Sequence, residues 1–214
     1  MKKVTLAVCV LLAAVILGVG AYAVFGGGSE MFSAGKARRE ALEQRDKNPD
    51  IVAEFHGHEI DRSAVEYSRQ MTAMLTEEEA KKYNTDRDII ERIVENIALV
   101  EEAEKRGLAA TEEEIEEMVN ATKTAYEMPE GKEMLDEYCQ GMGITIEEYY
   151  EIIREQAPRT IARQKLKDAV RREYCEEHGI EFTKINPPAE LKEAEEKFIN
   201  DLLKAARKDI KFYI

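Results

Sequence analysis

The sequence predicts a mostly α-helical protein in which a small two- to three-stranded β element joins the N- and C-terminal ends, set behind an N-terminal transmembrane helix. Three observations carry this. From Asp86 to Gly107, DRDIIERIVENIALVEEAEKRG, the residues Ile89, Ile90, Ile93, Val94, Ile97, Val100 and Ala103 recur at helical spacing, with Arg87, Glu91, Arg92, Glu95, Glu101, Glu102 and Lys105 on the opposite face. Two short stretches far apart in the chain, Ile51–Phe55 and Ile210–Ile214, alternate with period two, as strands do. Between Val4 and Phe25 there is no charged residue.

Taken in order, Lys2 and Lys3 precede that uncharged run, which as a helix spans about 33 Å and is long enough to cross a bilayer core. With the lysines held inside, the rest of the chain is expected outside the cytoplasm. Residues 1–25 are therefore read as a signal-anchor, and Ala21-Tyr22-Ala23 leaves cleavage after Ala23 as the rival. Cys9 falls too early in the run for a lipoprotein box. Residues 26–50 are expected to form a linker: a flexible joint at Gly26–Ser29, then KARREALEQRDK, polar all round, as a solvated spacer helix or a disordered stalk.

Residues 51–214 read as one helical domain. Gly57 permits a tight turn after Ile51–Phe55, so a hairpin is expected, with Asp61 capping a helix that carries Val65, Tyr67, Met71, Met74 and Leu75. Thr76 with Glu79 has the capping-box spacing. The central helix stops at Lys105-Arg106-Gly107, where basic residues suit the negative end of the helix dipole, Gly107 takes a left-handed turn and Leu108 packs back. Thr111 with Glu114 then opens a helix through Tyr126, Pro129 suits the first turn of another, and Thr145 with Glu148 opens a long one in which Pro158 forces a kink or a break. EYCQGMGI from Glu137 and EYCEEHGI from Glu173 share a helix-stop pattern, which we read as common capping rather than a repeat. FTKINPP interrupts helicity before a last helix, Ala189 to Arg207, and the strand Ile210–Ile214 is expected to pair with Ile51–Phe55.

The order of strand, tight turn, helix, long helix ending EEAEKRGL and capped helix TEEEIEEMV resembles the N-terminal chaperone module of SurA, which also occurs in PrsA-type foldases and is related to the trigger factor peptide-binding domain. The likeness spans Ile51 to Ile214. It implies a module that binds unfolded or partly folded polypeptide. That family commonly has Asn-Gly at the hairpin turn, where this chain has His56-Gly57. In its foldases a parvulin-type isomerase domain is inserted near FTKINPP, whereas here the chain runs straight on into a helix, so peptidyl-prolyl isomerase activity is not expected.

Composition narrows the function classes. With 35% charged residues, 7% aromatic and no Trp, the chain suits a helical protein of modest core volume. A net charge of −13 excludes nucleic acid as a natural partner, because phosphate binding needs clustered Lys and Arg. The acidity serves solubility or attracts cationic unfolded chains. His56-Gly57-His58, near Glu54 and Glu59, offers two imidazoles where structural zinc needs four ligands, so no metal or other cofactor is expected. No GxSxG, HExxH or phosphate loop is present, and no catalytic residue is proposed. Cys139 and Cys175 can pair only where their helices lie side by side.

What remains is apolar surface. Methionine side chains adapt to many shapes, and Met71, Met74, Met118 and Met134, with Tyr126, Tyr138 and Tyr149, are the candidate peptide-binding residues; Met128, Met142 and Tyr150 belong to the same set. The alternative for each is that it fills the core. The function expected is an extracytoplasmic, membrane-anchored, ATP-independent chaperone-like module. The alternative is a non-enzymatic interaction protein that docks one envelope partner.

Overall fold

The computed structural model describes residues 28–73, 81, 83–183 and 187–214. The expected membrane-spanning segment at 1–25, Met74 and Leu75, and the Thr76–Glu79 cap lie outside them. Among the described residues no helix is long and apolar enough to cross a membrane.

The elements follow the predicted order. Helix α1 (Gly28–Lys47) leads into the hairpin β1 (Ile51–Phe55) and β2 (His58–Asp61). Then come α2 (Arg62–Ala73), α3 (Asp86–Lys105), α4 (Glu112–Tyr126), α5 (Pro129–Met142), α6 (Ile146–His178), α7 (Ala189–Ala206) and β3 (Lys211–Phe212). The sheet is antiparallel with order β2-β1-β3, so the last strand lies beside the first. Ala53 pairs with Phe212 and Glu54 with Lys211, and the Tyr213 amide donates to the Val52 carbonyl at 2.8 Å. At the hairpin turn His56 and Gly57 both have positive φ, +48° and +84°, the geometry that a two-residue turn of matching twist requires. Asn favours that conformation more than His does.

Side-chain chemistry explains the helix limits. Thr85, Thr111 and Thr145 each accept a hydrogen bond from the amide three residues on, and the carboxylates of Asp88, Glu114 and Glu148 accept one back from the threonine amide. Helices α5 and α6 end at left-handed Gly143 and Gly179, and the Ile144 and Ile180 amides reach back to the Cys139 and Cys175 carbonyls at 3.1 and 3.0 Å. The two echoed segments are thus the same helix stop. Helix α6 runs unbroken through Pro158, so the break considered from sequence does not occur.

The core has three clusters in series. Sheet residues Val52, Ala53, Phe55 and Ile60 pack on Ile89, Ile90 and Val94 of α3. Further along α3, Leu99 and Ala103 meet Ala162, Leu166 and Val170 of α6. The first half of α6 joins α1, α2, α4 and α5 in the third cluster, around Leu135, Tyr138, Tyr149 and Ile153. The buried face of α3 includes Ala98 and Leu99, while Ile93, Ile97 and Val100 are only partly covered.

Of residues 26–50, read above as a joint and spacer, Gly26 and Gly27 lie outside the described residues, and Gly28–Lys47 form a helix that does not stand free as a spacer. Met31, Ala34 and Ala37 of α1 are buried in the third cluster, so the helix is docked on the body. The reason is backbone proximity. A Cβ on Gly35 would collide with the Tyr138 carbonyl oxygen, and one on Gly141 with the Phe32 carbonyl oxygen, so α1 and α5 cross glycine to glycine. Small residues let the helices touch along a seam that shows no stripe of large apolar residues.

Candidate functional site

The described candidate residues come from four elements and converge on the third cluster. Met71 (α2), Met118 (α4), Tyr138 (α5) and Tyr149 (α6) are buried there, and Tyr126 and Met134 are partly buried against it. Met128 is half-buried, Met142 is buried in the cluster and Tyr150 lies at its margin. The capped starts of α4 and α6 and the Pro129 start of α5 fix the angles at which these helices present the side chains.

At the centre, the Tyr138 and Tyr149 rings meet edge to face, with centroids 5.6 Å apart and planes at 66°. Tyr149 is 2% exposed. Burial pushes the phenols of Tyr67, Tyr138 and Tyr149 above the usual tyrosine range, so all three are neutral donors. The Arg38 guanidinium of α1 sits 5.0 Å above the Tyr67 ring. Burial likewise pushes the Cys139 thiol up to about 11.

Tyr126 caps the outer edge. Its hydroxyl donates to Asp136 at 2.8 Å and accepts from Lys132 at 2.8 Å, and Lys132 also donates to Asp136 at 2.7 Å. These hydrogen bonds hold the Asp136 carboxyl below its ordinary range and raise the Lys132 ammonium.

Beside the cluster, a cleft of about 490 Å³ opens between the second half of α1 and the start of α2. Its walls are mostly polar, with Gln44, Arg45, Asp50, Arg62, Glu66 and Gln70, and it reaches the apolar cluster at Ala37 and Tyr67. Large hydrophobic side chains that stand exposed among the described residues are Phe32 on α1 and Tyr213 and Ile214 beyond β3. The apolar candidates are therefore gathered, but covered.

The sequence profile of the SurA-like N-terminal domain matches residues 1–167. The chain belongs to the SurA-like N-terminal domain family. That domain is a chaperone-type module without catalysis of its own, and its members bind unfolded polypeptides. The match ends within α6, so α7 and β3 lie beyond it. No curated protein matches the chain, and no solved structure does.

Several residues that matter here went unremarked in the sequence. Gly35 and Gly141 set the α1 approach, Met31 and Ala34 fill it, and Arg38 lies over Tyr67. The four-residue spacing of the small residues Ser33, Ala37 and Ala41, with Ala34 and Gly35 beside them, is the signal that marks such a seam. His56 and His58 both face Glu101, with His56 Nδ1 2.8 Å and His58 Nε2 3.8 Å from its carboxylate. Among the described residues no group of three or more His, Cys, Asp or Glu is arranged to hold a metal ion. Cys139 and Cys175 are free thiols.

Proposed function

We propose that this SurA-like chain is a holding chaperone that buries apolar segments of unfolded, exported polypeptides in the methionine- and tyrosine-rich cluster. It works without ATP from outside the cytoplasm, tethered by residues 1–25. The observation that supports this most directly is the convergence of Met71, Met118, Met134, Tyr126, Tyr138 and Tyr149 from four elements on one cluster in a chain of this family. Methionine thioethers and tyrosine rings adapt to varied apolar surfaces, which a binder of many sequences needs. No covalent step is involved. The acidic exterior keeps complexes soluble and draws in basic segments.

The test is suppression of aggregation. The purified protein should delay aggregation of a chemically unfolded secreted protein at near-stoichiometric ratio without ATP. Met118→Ser and Met134→Ser should weaken that effect while leaving helical content unchanged. No delay, together with no binding of peptides from the same substrate, refutes the reading. Recovery of one stoichiometric partner instead of many points to a dedicated docking protein. Membrane tethering is tested separately by fractionation and by the mass of the N-terminal peptide, where a mature chain beginning at Val24 refutes the anchor.

A further inference from the structure

If the cluster receives polypeptide, something must uncover it, because its described residues are buried or partly buried. The covering element is α1. Its buried face, Met31, Ala34 and Ala37, lies in the same cluster as Met71, Tyr138 and Met142, and its backbone touches α5 at Gly35 and Gly141. We propose that the α1 seat on α5 and α2 is the polypeptide-binding groove, that α1 is its resident occupant, and that clients bind by displacing it. This rests on the chaperone reading above and adds the location of the groove, the chemistry of the segment it takes and the device that closes it.

Four observations carry the inference. First, within the described residues α1 joins the body through Asn48-Pro49-Asp50, a joint about which it can swing. Second, the ion pairs Lys36–Glu40, Arg39–Glu43, Lys47–Glu43 and Arg45–Asp46 lie within α1 and survive undocking, while the stacking of Arg38 on Tyr67 is given up. Other helices are tied to one another by ion pairs, for example Arg106 to Glu173, Lys165 to Glu114 and Arg207 to Glu91. Third, the polar cleft already parts α1 from α2 and reaches the cluster at Ala37 and Tyr67, which gives an incoming segment an edge to enter by. Fourth, α1 carries five Lys and Arg against four Asp and Glu, whereas the chain from Asn48 onward carries 24 against 40. The seat therefore belongs to an acidic body and holds a slightly basic helix.

The occupant read from α1 is a helix-forming, net-basic segment with Gly or Ala where it crosses Gly141 and one or two large apolar side chains such as Met31 and Leu42. A rival for an occupied seat binds more weakly by the fraction of time the seat is open. Releasing α1 should tighten client binding in that proportion.

The experiment uses the full chain and two probes: a labelled peptide of residues 28–47 and a reduced, carboxymethylated unfolded polypeptide. Ala34→Asp puts a charge on the buried face of α1, and Gly35→Leu drives the helix off α5 by bulk, so release is reached by two routes. With α3 and α6 still protected from hydrogen exchange, each variant should bind both probes at least about tenfold tighter than the wild type, and the probes should compete. In the wild type, unfolded polypeptide should strip exchange protection from α1. If α1 keeps its protection with polypeptide bound, or if released variants bind it no tighter, the displacement proposal is overturned while the chaperone reading stands. If the α1 peptide fills the vacated seat but no form binds unfolded polypeptide, the chaperone reading falls and takes this proposal with it.

Discussion

Replacing Gly35 by alanine sets two effects of opposite sign against each other. Alanine is the better helix former, and in an open helical position it should stabilise by about 0.5–1 kcal/mol. At Gly35, however, the new methyl would run into the Tyr138 carbonyl and approach the Met142 amide nitrogen to 2.9 Å, and both belong to backbone that cannot rotate away. The helices must part by about 1 Å, a gap that forfeits a quarter to a half of the dispersion energy across the seam. Overpacking of this kind costs about 1–3 kcal/mol. Setting propensity against it leaves a net loss of about 1–2 kcal/mol, carried by α1 and its buried Met31, Ala34 and Ala37. Hydrogen exchange reads it directly: α1 amides should exchange about five- to thirty-fold faster, while α3 amides are unchanged. Gly141→Ala should do the same, and the double variant should cost less than the sum of the two, since both open one seam. A Gly35→Ala protein with α1 as protected as before, or more so, would refute the glycine crossing.

Glu195, 9% exposed on α7, takes ion pairs from Lys167 and Arg171 of α6; Glu195→Ala leaves the half-buried Arg171 with its longer contact to Asp168 at 3.8 Å and should cost about 1–3 kcal/mol in urea unfolding. Pro158→Ala restores a donor to the middle of α6 and should raise the melting temperature, the gain being at most about 3 kcal/mol. Thr111→Ala removes the start of α4 and should cost about 1 kcal/mol, measurable as a lower urea midpoint at constant slope. The capping carboxylates of Asp88, Glu114 and Glu148 are held below their ordinary values by the threonine hydrogen bonds. Their contribution is full above about pH 4.5 and lost as pH falls through the depressed folded values, so an acid titration of stability should decline below about pH 4, less steeply in Thr111→Ala.

Legibility from sequence followed the range of the forces involved. Local chemistry could be read directly: Thr111 with Glu114, Thr145 with Glu148, Asp61, Pro129, Gly107 and the two Gly-Ile stops all act within a few residues, and all fall where expected. The pairing of β1 with β3 was also readable, because period-two alternation is rare in so helical a chain. The Thr85 cap was missed because its partner is Asp88 and not a glutamate. Docking of α1 escaped because Gly and Ala leave no periodic apolar stripe, and a polar-looking sequence hides a seam made of backbone contact. The ion network of Lys167 and Arg171 around buried Glu195 escaped for a related reason: charges look solvated until a second helix is laid over them. The candidate methionines and tyrosines were found by residue type. Where they gather depends on helix packing angles that no short window of sequence contains.

The placement of β3 bears on how the chain is made. Glu54 in the middle strand receives Lys211 Nζ at 2.7 Å and the Tyr213 hydroxyl at 3.1 Å, from partners 157 and 159 positions downstream. During synthesis those partners emerge only after the whole stretch between them has been made, so the nascent polypeptide carries an unzipped strand throughout that stretch. Truncation before Lys211 should therefore yield a product that ribosome or export channel releases with a sticky ribbon, prone to pair with its own copies.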